Sequence, residues 1–324
     1  MKAMVCRRLG LPEVLQLEEL PSPQPKAGQV LVAMRAASVN FPDALILQGR
    51  YQVKPELPFT PGYELAGVVE SVGEGVTTVR PGDHVIAVIK WGAFAEQVIV
   101  PAERAWPIPK EIAFTDAAAF PLAYSTSYHA LKDRAKLRAG ETLLVLGAAG
   151  GVGLAAVQLG RILGARVIAC ASSAEKLATC RAHGADETVD YSREDFREAV
   201  KRLTAGKGVD VIADPVGGRF ADPAVRSMAW GGRYLVLGFT DGSIPSIALN
   251  LPLLKGCSLV GVSADTFTRK EPEAGRRNYA ELIEMIASGR LKPVVSRIEP
   301  LANAAAVLTD VMNRKAQGKI VLVP

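Results

Sequence analysis

Glu141-Thr-Leu-Leu-Val-Leu-Gly-Ala-Ala-Gly-Gly-Val-Gly153 is the most informative segment of the sequence, and Leu154-Ala-Ala-Val-Gln-Leu159 continues it. An apolar run breaks into glycines and resumes with helical spacing, which predicts a strand, a phosphate-binding loop and a helix. In such a loop the first glycine turns the chain, the second admits a diphosphate and the third lets helix and strand pack closely. The N–H groups and dipole of the new helix would hold the diphosphate. The predicted contacts are Ala148, Gly150, Gly151, Val152 and Gly153, with Ala148, Gly150 and Gly153 in the three glycine places.

Short apolar segments recur after this loop at the spacing of a doubly wound parallel sheet. Helical patterns over residues 174–183 and 193–204 lie between them, and Gly184 ends the first. Strands that alternate with helices imply right-handed crossovers, so we predict an α/β Rossmann domain with a parallel six-stranded sheet. The five strands predicted after the first are residues 166–170, 187–190, 209–214, 233–238 and 258–262.

The end of the second strand indicates which dinucleotide binds. NAD-specific folds have an acidic residue there, about twenty residues past the glycines, which binds the ribose 2′-hydroxyl. This chain has Ser172 near that place, and a serine donates to a phosphate oxygen that a carboxylate would repel. Lys176 follows one helical turn later, either as a partner of the 2′-phosphate or as a solvated helix lysine. Two charged contacts of about 1.5 kcal/mol each would favour NADPH about a hundredfold.

Composition limits the remaining classes of function. The 324 residues suit two domains, and no apolar run approaches the roughly twenty residues of a membrane helix, so we expect no membrane partner. The N-terminus lacks the apolar segment of a signal peptide, and four scattered cysteines are typical of reduced thiols, which favours a cytoplasmic protein. A net charge of +5 without a basic block makes nucleic acid an unexpected partner.

The first third of the chain is rich in proline and glycine and predicts a β-rich lobe. Its best strands are residues 29–37, 66–72, 84–88 and 94–100. After the sixth strand of the nucleotide domain come two helical patterns, a short extended segment and a last strand, which we expect to return to the first lobe. These tail elements are residues 278–288, 302–314, 293–298 and 319–323. We therefore predict one domain over 1–121 and 263–324 and a Rossmann NADPH-binding domain over 122–262.

This order of domains resembles the medium-chain dehydrogenase/reductase superfamily and, within it, the zinc-free quinone oxidoreductase family that includes zeta-crystallin. The resemblance covers nearly the whole chain and implies a GroES-like catalytic domain, an NADPH cofactor and a homodimer. The motifs that carry it are Ala37-Ser-Val-Asn-Phe-Pro-Asp43, Pro61-Gly-Tyr-Glu-Leu-Ala-Gly-Val-Val-Glu-Ser-Val-Gly73, Gly82-Asp-His-Val85, Gly92-Ala-Phe-Ala-Glu96, Ala123-Tyr-Ser-Thr-Ser-Tyr-His-Ala-Leu131, Ala148-Ala-Gly-Gly-Val-Gly153 and Gly318-Lys-Ile-Val-Leu322.

Zinc alcohol dehydrogenases of the superfamily differ from this chain at the metal ligands. They have a cysteine in the place of Asn40 and a histidine-glutamate pair in the place of Tyr63 and Glu64. A catalytic zinc needs about three nitrogen, sulfur or carboxylate ligands, and only Glu64 remains. Residues 90–94 pass directly into the next strand, so the four-cysteine lobe of those enzymes is also missing. We therefore predict no metal and no alcohol oxidation.

The resemblance implies hydride transfer from NADPH to a small electrophile, either a quinone or an α,β-unsaturated carbonyl. Such acceptors are electron-poor and need mainly orientation. Tyr51 or solvent would supply a proton. Asp43 has the alternative role of capping a helix, and Tyr63 that of filling the space of a metal. The catalytic residues that the resemblance implies are Asn40, Asp43, Tyr51, Tyr63 and Thr126.

The resemblance also extends the predicted cofactor site. Tyr191 and Arg314 match a tyrosine and an arginine that close on the 2′-phosphate in NADPH-using relatives. Arg314 has the alternative of a cation favoured by the carboxyl end of a helix. Two further segments would line the nicotinamide, namely Gly238, Phe239 and Thr240, and Val262, Ser263 and Ala264.

Two other functions remain open from the sequence. An enoyl-thioester reductase would need a basic channel for a bulky acyl carrier. Four residues could supply such a channel or could instead form a solvated loop and helix face: Arg269, Lys270, Arg276 and Arg277. A non-enzymatic NADPH-binding or RNA-binding protein would bind cofactor without turnover, and its affinity for RNA would fall with salt. Catalytic assays on quinones, enones and crotonyl-CoA distinguish these alternatives.

Overall fold

The computed structural model describes all 324 residues, and the chain divides into two compact units. The first unit combines Met1–Leu122 with Ile283–Pro324, and the second is Ala123–Leu282. Fifteen strands and eleven helices build the two units.

The strands are β1 (Lys2–Cys6), β2 (Leu15–Glu19), β3 (Gln29–Ser38), β4 (Glu64–Val72), β5 (His84–Val88), β6 (Gln97–Pro101), β7 (Ala105–Pro107), β8 (Thr142–Val145), β9 (Arg166–Ala171), β10 (Glu187–Asp190), β11 (Val209–Asp214), β12 (Met228–Val236), β13 (Ser258–Gly261), β14 (Val295–Pro300) and β15 (Lys319–Val323). The helices are α1 (Phe41–Leu47), α2 (Phe114–Ala119), α3 (Ala123–Tyr128), α4 (Gly151–Ile162), α5 (Ala174–Ala182), α6 (Phe196–Leu203), α7 (Ala221–Arg226), α8 (Asn250–Lys255), α9 (Ala264–Lys270), α10 (Pro272–Ala287) and α11 (Ala304–Met312).

The second boundary between the units differs from the sequence prediction. Residues 263–282 were expected in the first unit, but they pack with the second. The reason is a set of hydrogen bonds to the end of α3 and to the segment that follows it. Tyr128 Oη donates to Glu281 Oε2 at 2.6 Å, and Asn278 Nδ2 donates to Asp133 Oδ2 at 2.7 Å. These contacts join residues far apart in sequence, which no local pattern encodes.

A mainly antiparallel sheet forms the centre of the first unit, in the order β14-β15-β3-β4-β5-β7. Strand β6 also pairs with β3, β1 and β2 form a separate pair, and only β14 and β15 run parallel. The register places Ser38 at the end of β3 opposite both Glu64 of β4 and Val321 of β15. The end of β3, the start of β4 and the strand β15 therefore meet at one corner of this sheet.

The second unit contains a parallel sheet in the order β10-β9-β8-β11-β12-β13. Numbered within the unit, this order is 3-2-1-4-5-6, which is the doubly wound arrangement. The predicted Rossmann fold with six parallel strands is thereby confirmed. One face of the sheet forms a continuous apolar core with α6, α7 and α8. Its fully buried strand side chains include Leu144, Ile168, Val189 and Ile212.

The ends of several elements differ from the sequence prediction by a few residues. The helix predicted over 193–204 begins at Phe196, because the Asp195 side chain caps it by accepting the Glu198 N–H at 3.0 Å. Helix α10 begins at Pro272 rather than at residue 278, and α9 was not predicted. Proline fits the first turn of a helix because no N–H is needed there.

The edge of the second unit near β13 exposes apolar side chains. Five of them, from the start of β12, from the loop that follows β12 and from α8, are between 73% and 82% exposed. Strand β13 has a sheet partner on one side only. Isolated exposed apolar residues are ordinary, whereas a group beside an unpaired strand edge typically marks an interface. The five residues of this group, the β13 edge patch, are Trp230, Ile244, Leu249, Leu253 and Leu254.

Candidate active site

Asn40 and Asp43 begin helix α1, directly after β3. The Asn40 N–H donates to Asp43 Oδ2 at 2.8 Å, and the Asp43 N–H donates to the Asn40 carbonyl oxygen at 3.1 Å. The first N–H groups of a helix have no partners within it, and this reciprocal contact stabilises the helix start. Asp43 is completely buried. The structure thus gives Asp43 the capping role, and its catalytic role stays a prediction.

Glu64 lies at the start of β4 and is completely buried. Its Oε1 accepts hydrogen bonds from Asn40 Nδ2 at 2.8 Å and from Lys319 Nζ at 3.0 Å. Its Oε2 accepts the Leu122 N–H at 2.6 Å. A buried carboxylate is stable only when paired and hydrogen-bonded, and Glu64 meets both conditions. Lys319, from β15, is the buried cation that sequence reasoning missed; the only signal was its place in Gly318-Lys-Ile-Val-Leu322.

Burial raises the pKa of the Asp43 carboxyl to about 7. The Asn40 N–H and the Lys319 ammonium oppose this shift, and the negative charge of Glu64 adds to it. Asp43 Oδ1 has no hydrogen-bond partner, and the Gly62 backbone opposes the shift least of these groups, so a charge on that oxygen is poorly stabilised. Asp43 therefore carries a proton over a much wider pH range than an ordinary aspartate.

The other predicted catalytic residues occupy three different places. Tyr63 is buried just before β4, and its carbonyl oxygen accepts the Ile89 N–H at 2.8 Å. Tyr51 is half-buried in the segment between α1 and β4. Thr126 is half-buried in α3, which belongs to the second unit. The structure thus joins Asn40 and Asp43 to Glu64 and Lys319, and the roles of Tyr51, Tyr63 and Thr126 stay predictions.

The loop between β8 and α4 has the shape that a diphosphate requires. Gly150 directly precedes α4, and the first N–H groups of that helix point out of its end. A Cβ atom at Gly153 would lie only 2.3 Å from the Gly147 carbonyl oxygen, so the loop and helix approach as closely as glycine allows. The residues of this loop therefore fit a dinucleotide diphosphate.

The residue that turns this loop differs from the prediction. Gly147 has a φ of 56°, in the left-handed region that favours glycine. Ala148, predicted for the turn, is instead buried, and its N–H donates to the Cys170 carbonyl oxygen at 3.0 Å. Glycine at the preceding position leaves Ala148 free to pack against β9. Ala148 therefore belongs to the packing under the loop.

The residues predicted for the 2′-phosphate follow two paired strands. Ser172 is exposed after β9, and Tyr191 follows β10 with its N–H bonded to the Ala171 carbonyl oxygen at 3.3 Å. Lys176 is half-buried in the first turn of α5, where its N–H donates to the Ser173 hydroxyl at 3.3 Å. The sheet thus brings Ser172, Lys176 and Tyr191 to one edge. Arg314 lies in the first unit after α11.

An aromatic contact beside this group was not predicted. The rings of Tyr191 and Phe220 lie with centroids 4.5 Å apart, and the Arg219 guanidinium lies 4.9 Å from the Phe220 centroid. Arg219 follows the glycine turn after β11 and is exposed. The glycines at 217 and 218 were the available signal, because a turn after a strand of this sheet faces the cofactor edge. Arg219 therefore adds a cation near the group.

The segments predicted for the nicotinamide follow β12 and β13, which are neighbours in the sheet. The Thr240 hydroxyl donates to the Pro215 carbonyl oxygen at 3.1 Å, and the Val262 N–H donates to the Val236 carbonyl oxygen at 3.2 Å. Both segments therefore lie at the carboxyl edge of the sheet. They are Gly238, Phe239 and Thr240, and Val262, Ser263 and Ala264.

A pocket of about 290 Å³ opens beside the first of these segments. At its polar end Asp214 Oδ1 accepts the N–H groups of Val216 and Gly217 at 2.7 and 2.8 Å, and Tyr234 Oη donates to Asp214 Oδ2. Burial raises the pKa of both Asp214 and Tyr234. The remaining lining is almost entirely apolar: Val236, Gly238, Phe239, Ile244, Pro245, Ile247 and Leu259.

The three histidines have separate structural contacts. His84 lies against the Phe114 ring at 4.5 Å, and His129 Nδ1 lies 2.9 Å from Asp133 Oδ2. His183 is the residue that ends α5. Nowhere in the chain are three or more His, Cys, Asp or Glu side chains grouped as a metal site requires. No helix is both long enough and apolar enough to cross a membrane.

Comparison with known proteins places this geometry in a family. Residues 26–110 match the family model of the alcohol dehydrogenase GroES-like domain, and residues 151–288 match that of zinc-binding dehydrogenases. The chain is 38% identical to the quinone oxidoreductase-like protein 2 homolog of Nematostella vectensis, with 99% of this chain and 88% of that protein covered. The chain belongs to the quinone oxidoreductase family of medium-chain dehydrogenases/reductases.

Two solved structures of relatives contain NADPH. The Escherichia coli quinone oxidoreductase complexed with NADPH has a TM-score of 0.94 at 30% identity, with both chains fully covered. A mycobacterial protein complexed with NADPH has a TM-score of 0.93 at 34% identity, again with both chains fully covered. The family that the motifs predicted is confirmed, and so is the combination of a GroES-like domain with a Rossmann domain.

Proposed function

We propose that this chain is an NADPH-dependent, zinc-independent reductase that transfers hydride to a small electrophile, either a quinone or an α,β-unsaturated carbonyl. Family membership supports the oxidoreductase class. The observation that carries the proposal is the environment of Glu64. It is the one residue that remains at the zinc-ligand positions of the superfamily's alcohol dehydrogenases, and its two carboxylate oxygens already bind three donors.

These contacts explain why the site would work without a Lewis acid. A metal at Glu64 would compete with three donors that the carboxylate already holds, and it would bring a second positive charge close to the Lys319 ammonium. Asn40 and Tyr63 supply no thiolate or imidazole in exchange. Alkoxide chemistry would lack its usual support at such a site. Acceptors that are already electron-poor would need only orientation and a dry environment.

The cofactor proposal depends on residues of the second unit. Bound NADPH would supply a hydride from its nicotinamide. The loop at Gly150 and Gly153 would hold the diphosphate, and Ser172, Lys176 and Tyr191 would bind the 2′-phosphate through a hydroxyl, an ammonium and a phenol. Arg314 remains the predicted additional cation. The NADPH complexes of two relatives support NADPH as the cofactor.

The chain's own residues would orient the acceptor and manage one proton. Tyr51 would donate a hydrogen bond or a proton to the oxygen that gains electron density, or solvent would do so. Thr126 would contact the nicotinamide, and Tyr63 would shape the acceptor site. Asp43 is completely buried, so its contribution would be to hold the Asn40 backbone in place.

We also propose that two copies form a dimer through the β13 edge patch. A strand at a sheet edge has unpaired N–H and C=O groups that a second copy can satisfy. The apolar side chains of the patch would be removed from water in the same contact. Two features of the second unit support this dimer: β13 is an edge strand of the sheet, and the apolar side chains of the β13 edge patch are exposed.

Anaerobic oxidation of NADPH and NADH by metal-free protein tests the proposed activity. The acceptors are 1,4-benzoquinone, 9,10-phenanthrenequinone, a 2-alkenal and crotonyl-CoA. We expect turnover with NADPH on a quinone or the alkenal, at a rate unchanged by a chelator. A rate that chelation abolishes and zinc restores would contradict zinc independence. Faster turnover of crotonyl-CoA would favour a thioester reductase, and cofactor binding without turnover of any acceptor would contradict the enzymatic proposal.

A further inference from the structure

Three oxygen atoms surround the ammonium group of Lys319. Nζ donates to the Val39 carbonyl oxygen at 3.4 Å, to Glu64 Oε1 at 3.0 Å and to Asn40 Oδ1. A lysine ammonium has three N–H donors and no acceptor, so these contacts use its full capacity. Lys319 is 3% exposed and Glu64 is 0% exposed. The two charges are therefore held in place by each other and by fixed hydrogen bonds.

The Asn40 carboxamide lies between these two charges. Its oxygen accepts from Lys319, and its nitrogen donates to Glu64 Oε1 at 2.8 Å and to the Ser38 carbonyl oxygen at 3.2 Å. A flipped amide would place NH₂ against the ammonium and oxygen against the carboxylate, and both contacts would be repulsive. The charges of Lys319 and Glu64 therefore fix the orientation of the Asn40 amide, with Oδ1 toward Lys319 and Nδ2 toward Glu64.

This orientation leaves the Asn40 side chain with one unused hydrogen-bonding position, a lone pair on Oδ1. Both Nδ2 hydrogens are used, whereas Oδ1 accepts one hydrogen bond and has a second lone pair. Asn40 is 8% exposed, more than either charged partner. A ligand that contacts the Asn40 side chain therefore meets an acceptor and no donor.

We infer that Lys319 and Glu64 are positioning residues that make Asn40 an obligatory hydrogen-bond acceptor for a ligand carrying an O–H or N–H donor. Stabilisation of an oxyanion by Asn40 is excluded, because that role needs a donor. The identification of this ligand as cofactor or substrate rests on the proposed function. The orientation of the Asn40 amide is independent of the proposed function.

A double substitution tests the inference without leaving a buried charge unpaired. In K319M/E64Q both groups become neutral at nearly constant volume, and neutral replacement of a buried ion pair is often tolerated. The amide oxygen of the introduced glutamine would keep the Leu122 N–H, so its NH₂ would face Asn40 and turn the Asn40 amide over. The matched control is R233M/E141Q, which removes a half-buried ion pair of 2.7 Å in the second unit.

Selective ¹⁵N-asparagine labelling allows the side-chain NH₂ signals of Asn40 to be observed by NMR, because the chain has only five asparagines. We expect the Asn40 NH₂ signals, identified by their loss in N40D, to persist in D₂O for the wild type and for R233M/E141Q. In K319M/E64Q they should shift and exchange. Asn278 Nδ2, bonded to Asp133 Oδ2 at 2.7 Å, is an internal control that should not change. Turnover should fall at least about tenfold in K319M/E64Q, with the urea midpoint within about 0.5 M of wild type.

Unchanged Asn40 signals in a folded K319M/E64Q variant would overturn the inference, and so would wild-type turnover in a variant whose signals have moved. If K319M/E64Q does not fold, K319R is the alternative test, because arginine keeps the positive charge. Protected Asn40 signals and retained turnover in K319R would support the inference. Loss of both in a folded K319R protein would refute it. Wild-type protein that turns over no acceptor but shows the expected signals would contradict the proposed function and leave the positioning intact.

Discussion

Replacing Asp43 with asparagine should change how the stability of the first unit depends on pH. Burial raises the pKa of Asp43 to about 7 in the folded protein, whereas an unfolded aspartate titrates near about 3.9. The unfolded chain therefore loses this proton first as pH rises. The contribution of Asp43 to the free energy of unfolding therefore falls by up to about 1.4 kcal/mol per pH unit between about pH 4 and 7. The total fall is about 4 kcal/mol. Asparagine has nearly the same shape and does not titrate, so D43N should lack this fall.

Urea unfolding across this pH range measures the effect. In a W230F background the remaining tryptophans, Trp91 and Trp106, both report on the first unit. The stability of D43N relative to wild type should rise by about 3 to 4 kcal/mol from about pH 4 to about pH 8. The control is D116N, which changes the acidic residue in the first turn of α2. A stability difference that stays constant with pH, or that falls as pH rises, would contradict this prediction, because the pKa of Asp43 would then not be raised in the folded state.

Three further outcomes are expected. G153A should lower the free energy of unfolding by about 1–3 kcal/mol and weaken NADPH binding, because the new Cβ would lie 2.3 Å from the Gly147 carbonyl oxygen. An unchanged NADPH affinity in a fluorescence titration would contradict the assignment of this loop to the diphosphate. K176M should weaken NADPH binding about tenfold with little effect on NADH, and an equal loss for both would show that Lys176 does not contact the 2′-phosphate. L253E places a charge in the β13 edge patch and should convert a dimer to a monomer in sedimentation; an unchanged mass would place the interface elsewhere.

Much of the second unit could be predicted because its signals are local. Alternating apolar segments and helical periodicity indicate a parallel sheet, since each βαβ unit is formed by neighbouring residues and closes with one handedness. The glycine loop before α4 could be located for the same reason. Its turning residue was placed one position late, because the choice between Gly147 and Ala148 depends on packing against β9. The domain boundary after Leu282 likewise depends on contacts between distant segments.

The Rossmann architecture, the family and the replacement of zinc ligands by Asn40 and Tyr63 follow from the amino-acid sequence, because residue identity at motif positions expresses them directly. The surroundings of Glu64, in contrast, depend on how the chain folds. Lys319 follows Glu64 by 255 positions, and the two meet because β3 pairs with both β4 and β15. Burial of that corner then sets the pKa of Asp43 and the direction of the Asn40 amide, since both depend on the absence of water and on charges that the fold alone brings together.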